Sequence, residues 1–277
     1  MEREVLEKLH STMFEIYEEI ARICDKHGLN YFVVGGTLIG AVVHKGYIPW
    51  DDDLDIAMPR EDYEKFLKIA PQELGKRFML HHTSTDKKYW LSFAKVRMNG
   101  TVFLEEKRKN VDLHAGIYVD VFPFDYAPDC NTGKKAAWKW KWINWINNYI
   151  YAKTTGLKVR SKSSALLTPL FSLFSIYRLN LIRDKIVKSF DKGERKYFLD
   201  SGGGRSLDNS YFKVESMLPV GEMPFGEKTV KVPSNPHSYL VQLYTERYLV
   251  IPPKEKQITH NPLLIRFEDG TEYHYEI

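Results

Sequence analysis

The stretch 48–62, IPWDDDLDIAMPRED, brings Asp51, Asp52, Asp53 and Asp55 close together soon after the pair Gly35–Gly36. Carboxylates this crowded repel one another unless water or a cation offsets their charge. Two readings compete, an exposed acidic turn and a cation site. The spacing of Asp51, Asp53 and Asp55 resembles the opening of an EF-hand loop, but Ile56 stands where glycine is required and Asp62 stands where glutamate is required. On a strand, by contrast, alternate side chains share a face. Asp53 and Asp55 then project together while Leu54 and Ile56 enter the core. Such a carboxylate pair suits a hard cation, Mg²⁺ with Mn²⁺ as the alternative, which in turn takes substrate phosphates. A third carboxylate on a neighbouring strand completes a site of this type, and Asp120 in the apolar run GIYVDVFPFD is the candidate. Asp125, just past Pro123, reads as an ordinary strand-end residue.

These residues need elements to hold them. Val5, Leu6, Leu9, Met13, Ile16, Tyr17, Ile20 and Ile23 recur at helical spacing across 2–27, with Gly28 suited to the C-cap. The run YFVV reads as a buried strand ending at Gly35–Gly36. A short helix follows, with Thr37 as its expected N-cap and Gly46 as its end. DLDIAM reads as a half-buried strand, and the helical spacing of REDYEKFLKIA is expected to close at Pro71. YWLSFAKVRM, TVFLEE and GIYVDVFPFD read as three further strands, with Asn99–Gly100 as a hairpin turn between the first two. The predicted fold class is α/β (α+β): a mixed sheet flanked by helices, carrying a helical, basic, Trp-rich insertion. The expected division is a catalytic core over 1–129, an insertion over 130–205 and a C-terminal part over 206–277 that completes the core.

A strand ending in GG, a short helix, and DLD on the next strand is the order in which polymerase-β-type nucleotidyltransferases place phosphate-binding amides ahead of metal-binding carboxylates. The stretch VVGGTLIGAVVHKGYIPWDDDLDIAMPREDYEKF closely resembles the LicD family, which is related to fukutin-like enzymes. The likeness continues through AKVRMNGTVF and GIYVDVFPFD to YLVQLYTERYLVIPPKEK, so it covers 28–126 and roughly 215–260 in order. It implies transfer of phosphocholine, or another phospho-alcohol, from a CDP-activated donor to a lipid-linked glycan acceptor of the teichoic acid or lipopolysaccharide type, with CMP released. It also implies roles by position: Asp53 and Asp55 as Mg²⁺ ligands, Gly35, Gly36 and Thr37 at the donor phosphates, and Asp120 as third carboxylate. His44, Lys45, Lys95 and Arg97 are further candidates for the phosphates, although a strand Lys or Arg is commonly a surface charge. If the alcohol is choline, its quaternary ammonium needs aromatic faces, for which Trp50, Tyr89, Trp90, Tyr118 and Tyr248 are available. For each of these five, packing in the core is the competing role.

The net charge of +4 conceals an acidic body and a basic insert, since residues 130–196 carry 15 Lys or Arg against 3 Asp or Glu. Within it, Trp138, Trp142 and Trp145 recur on one helical face among lysines, a pattern suited to an anionic membrane surface. The same pattern suits helices packed over the sheet with Lys on the wet side. The uncharged run 163–177 contains Pro169 and is too short to span a bilayer. No recognition motif accompanies the basic residues, so no nucleic-acid partner is expected. Neither Cys24 nor Cys130 sits in a zinc or disulfide spacing. MEREVLEKLH lacks the apolar run of a signal peptide, so the expected location is cytoplasmic, at the inner face of the membrane. Three rivals remain: a nucleotidyltransferase releasing pyrophosphate, a glycosyltransferase using DxD for a nucleotide-sugar, and a non-catalytic membrane-surface protein. A long nucleotide-binding βα half would precede the aspartates of the glycosyltransferase, and none does here.

Overall fold

The computed structural model describes residues 1–128, 133–159, 161–204 and 206–276. Cys130 and the expected boundaries at 129/130 and at 205 lie outside the described residues. Helix α1 (Arg3–Lys26) presents Val5, Leu9, Met13, Ile16, Ile20 and Ile23 as a fully buried stripe, as its spacing requires. Gly28 follows in the left-handed region at φ +62°.

The central sheet runs β1 (Phe32–Val33), β2 (Asp55–Pro59), β6 (Tyr118–Ala127), β4 (Ala94–Met98) and β3 (Phe78–His81) in spatial order. β2 lies parallel to β6 and the other pairs are antiparallel, so the sheet is mixed. The far half of β6 pairs with β7 (Tyr197–Asp200), which pairs in turn with β8 (Tyr211–Lys213). α1 and α3 (Arg60–Glu73) pack against the sheet. The stretch read as a helical insertion therefore ends in a strand of the main sheet. Its helices are α4 (Lys134–Thr155), α5 (Lys162–Leu166), α6 (Thr168–Ser172) and α7 (Ile176–Lys188). α4 is anchored on the core by Trp140, Ile143, Ile146 and Ile150, all buried.

Three local expectations are corrected. The turn at Asn99–Gly100, with Gly100 at φ +77°, joins strands that do not pair with each other. β4 stays in the main sheet, whereas β5 (Val102–Glu105) pairs with β11 (Pro262–Arg266), which continues to β12 (Glu272–His274). A distant C-terminal strand thus outcompetes the local hairpin. The short helix α2 (Gly35–Ile39) starts two residues before Thr37 and passes into a π-helical turn over Gly40–His44, and Lys45, not Gly46, takes the left-handed end at φ 57°. Pro71 sits inside the last turn of α3 rather than closing it. Between β8 and β11 the chain forms α8 (Val214–Met217), the hairpin β9 (Gly221–Phe225) and β10 (Lys228–Val232), and α9 (Pro236–Tyr244).

Candidate active site

The carboxylates meet at one end of the sheet. Asp55 opens β2 and pairs in register with Asp120 on β6, and Asp120 pairs in turn with Lys95 on β4. Residues opposite one another across adjacent strands share a face, so Asp55, Asp120 and Lys95 form a row across three strands. Lys95 is fully buried and donates to Asp120 Oδ1, with its ammonium 3.2 Å from the centre of the Tyr118 ring. Burial drives the Lys95 pKa down, Asp120 works against that, and the result is about 7.

Asp51, Asp53 and Asp55 alternate with Asp52 and Leu54, as strand geometry predicts, although Asp53 lies just before β2 rather than within it. Asp52 belongs to the structure rather than to the cleft. It is buried, and accepts from the backbone N–H of His260 at 3.0 Å and from His260 Nδ1 at 2.9 Å. The other ring nitrogen of His260 lies 3.6 Å from Asp53. Burial opposes a charged imidazole there, but Asp52 and Asp53 outweigh it and lift the His260 pKa to about 9. Burial and then mutual repulsion raise the carboxyls in the cleft: Asp51 to about 8, and Asp55 well above the usual carboxylate range. Asp53 is raised by burial, with His260 pulling the other way.

The glycine turn closes over this cluster. Gly35 has φ +57°, and a Cβ there would lie 3.2 Å from Asp55 Oδ2. A Cβ on Gly36 would come within 2.6 Å of Asp51 Oδ2. Thr37 is no N-cap; it is buried inside α2 and its hydroxyl accepts from the Asp55 N–H at 2.9 Å, while the N–H of Val34 donates to the Asp55 carbonyl at 3.1 Å. The turn and the carboxylate strand are thus stitched together.

The remaining candidates separate. His44 and Trp50 meet edge-to-face at 6.0 Å and, with Ile39, Val43, Tyr244 and Tyr248, line a cavity of about 290 Å³. Tyr244 Oη is 3.8 Å from a Cβ built on Gly35, so this cavity adjoins the glycine turn. Lys45 is not directed to the carboxylates: it is exposed and donates to the Val42 carbonyl at 3.1 Å. Arg97 is buried and occupied, donating to His81 Nδ1 at 3.1 Å and to the Gly116 carbonyl at 2.7 Å. Tyr89, Trp90, Tyr118 and Tyr248 are buried. Asp125 sits within β6, not at its end, and takes both Nε and an Nη of Arg60 at 2.7 Å. Asp51 was weighed only as an EF-hand position, and His260 and Tyr244 escaped the sequence reading; His260 lies 208 positions from Asp52 with no motif around it.

Among the described residues, no three His, Cys, Asp or Glu side chains are gathered closely enough to enclose a metal ion unaided. The donor chemistry of Asp53 and Asp55 nonetheless fits a hard divalent cation. These are crowded oxygen ligands, and among the described residues no Lys or Arg pairs with either.

Residues 28–157 match the family described as LicD/FKTN/FKRP, nucleotidyltransferase domain. A lipopolysaccharide cholinephosphotransferase LicD of Haemophilus influenzae is 26% identical over 270 residues, which covers 94% of this chain and 97% of that protein. Uncharacterised proteins of Rickettsia typhi and Rickettsia prowazekii are each 30% identical over shorter stretches, 122 and 115 residues, covering 44% and 40% of this chain and 37% and 40% of theirs.

Proposed function

We infer that this chain is a LicD-type transferase that moves phosphocholine, or a related phospho-alcohol, from a CDP-activated donor to a hydroxyl of a cell-surface glycan precursor. The observation that carries this reading is the row Asp55–Asp120–Lys95, whose Asp55 end lies against the Gly35–Gly36 turn. The Haemophilus relative's name, a cholinephosphotransferase acting on lipopolysaccharide, supports the same reading; a teichoic acid precursor would present an equivalent hydroxyl.

The first turn of α2 leaves N–H groups without intrahelical partners, and the absence of a Cβ at Gly35 and Gly36 lets a diphosphate approach them. Asp53 and Asp55 would hold Mg²⁺, with Asp120 beside them; bound there, the ion offsets charge on the diphosphate oxygens. Asp120, held by Lys95, takes the proton of the acceptor hydroxyl. The hydroxyl oxygen bonds to the β-phosphorus, the bond from that phosphorus to the bridging oxygen breaks, and CMP leaves with that oxygen. The cavity of His44, Trp50, Tyr244 and Tyr248 offers a quaternary ammonium aromatic faces worth about 0.5–2 kcal/mol each.

The chain would work at the inner face of the cytoplasmic membrane. Among the described residues no helix is long and apolar enough to cross a bilayer. Support for surface contact comes from Leu166, Leu170, Leu173 and Trp138, all exposed in a helical layer where residues 134–183 carry no Asp or Glu.

The deciding test is CMP release from CDP-choline, CDP-ethanolamine, CDP-glycerol and CDP-ribitol, with Mg²⁺ and a membrane glycolipid extract. The reading requires CMP from at least one donor, loss with EDTA, and loss in Asp53→Asn. Pyrophosphate from a nucleoside triphosphate without any CMP would instead identify a nucleotidyltransferase.

A further inference from the structure

A second cavity, of about 610 Å³, lies between α4 and the segment leading into β4. Along α4, Lys141, Asn144, Trp145, Asn148 and Tyr151 line it at steps of three and four, one strip of the helix. The neighbouring strip of Ile143, Ile146 and Ile150 is buried in the core, so the helix has an apolar back and a front of amides and aromatic rings. That front is held in place. The Trp145 indole donates to Ser163 Oγ at 3.1 Å, and the buried Arg183 donates to Asn147 Oδ1 at 2.8 Å and to the Leu91 carbonyl at 3.0 Å. Among the described residues, no Asp or Glu lines it.

The cavity's position matters more than its size. Phe93 forms part of its wall, and the Lys95 ammonium lies 5.6 Å from the centre of that ring. Phe93 also packs on Phe122 at 4.2 Å, and Phe122 shares the β6 face of Asp120, two residues along. The cavity wall is therefore continuous with the Lys95–Asp120 pair. In the order β1–β2–β6–β4, the glycine turn and Asp55 lie on one side of Asp120, and this cavity lies on the other.

We propose that this cavity is the acceptor-sugar site, taking a pyranose with free vicinal hydroxyls, and that Asn144, Asn148 and Trp145 determine which glycan is modified. The proposal rests on the transferase reading above and adds to it a place for the second substrate. Side-chain amides offer a donor and an acceptor to adjacent hydroxyls, and an indole face packs on the C–H face of a sugar ring. Lys141 favours a phosphate or carboxylate on the same glycan. A sugar seated here would present its hydroxyl to Asp120 from the side opposite the donor diphosphate, as displacement at phosphorus requires.

The experiment uses the full chain, CDP-choline and a delipidated lipopolysaccharide core oligosaccharide. Binding of the oligosaccharide is read by tryptophan fluorescence, and acceptor and donor KM are read from CMP release. Asn144→Ala and Asn148→Ala should each weaken oligosaccharide binding and raise acceptor KM about three- to ten-fold, with the effect on acceptor rather than donor KM. Trp145→Phe should keep more binding than Trp145→Ala. Unchanged acceptor KM and binding in the folded double variant Asn144→Ala/Asn148→Ala would overturn the proposal, as would a wild type that releases CMP but does not bind the oligosaccharide. Failure of the transferase reading looks different, namely no CMP from the wild type with any donor.

Discussion

Lys95 and Asp120 face one another across β4 and β6 as an almost wholly buried ion pair, with Tyr118 beneath the ammonium and Asp55 in register on the other flank of Asp120. Asp120 therefore has a neighbour of like charge on one side and a cation on the other. The lysine holds the Asp120 carboxylate in a fixed orientation beside the other aspartates, which a proton acceptor at this place requires.

Replacing Lys95 with methionine keeps the volume of the side chain and removes the charge. The kcat for CMP release should fall about 100-fold or more, with the far-UV circular dichroism spectrum unchanged. A kcat within twofold of wild type would remove Lys95 from the mechanism.

Asp125, five residues along the same strand as Asp120, should behave in the opposite way. Asp125→Ala leaves Arg60 buried with, among the described residues, only Asp184, 3.1 Å away, as counter-ion, and should cost about 3 kcal/mol of stability. Denaturant unfolding gives that cost, and turnover per folded molecule should survive. Loss of turnover in fully folded protein would mean that the two aspartates have been assigned the wrong way round.

His81 is fully buried, accepts from Arg97 at Nδ1, and lies 3.3 Å from Asp86 through Nε2. Burial, with the Arg97 charge adding to it, depresses its pKa to about 4. The folded form thus binds a proton less readily than an unfolded imidazole near 6.5. Its contribution is fully present above about pH 6.5 and is lost as the pH falls towards 4, to the extent of roughly 3 kcal/mol. The stability gap between wild type and His81→Gln, from urea unfolding, should narrow by that amount between pH 7.5 and pH 4. A gap independent of pH would show that His81 does not titrate in this range.

The exposed leucines give a test at the membrane. Cosedimentation with vesicles containing phosphatidylglycerol should exceed that with phosphatidylcholine alone, and should weaken at high salt. Leu166→Ser/Leu170→Ser/Leu173→Ser should reduce it at least about tenfold, because burying each leucine is worth about 1.5–3 kcal/mol. Equal binding by wild type and the triple variant would move the contact elsewhere.

Much of this site was legible in the sequence because its chemistry is local. Gly35–Gly36 and the aspartate cluster lie within 21 residues, and alternation correctly put Leu54 and Ile56 in the core, each 0% exposed. Asp120 was legible as a carboxylate in an apolar strand. The basic candidates were less so. Lys95 and Arg97 are equivalent by alternation, yet Lys95 stands opposite Asp120 on β6, whereas Arg97 stands opposite Tyr118 and reaches His81 diagonally on β3. The tryptophan strip of α4 divided too: Trp138 is exposed, whereas Trp145 lines a cavity.

The sequence by itself determined which residue types could bind a cation and phosphates, and the helix and strand periods that carry them, since both follow from contacts between near neighbours. Tertiary structure alone decided the strand register that sets Asp55, Asp120 and Lys95 side by side, and the pairing of β5 with β11 in place of a hairpin with β4. It also decided the capture of Asp52 by His260. Each of these joins residues far apart in the chain, and the energy that selects them comes from burial and charge pairing across the folded core, which no local stretch of sequence contains.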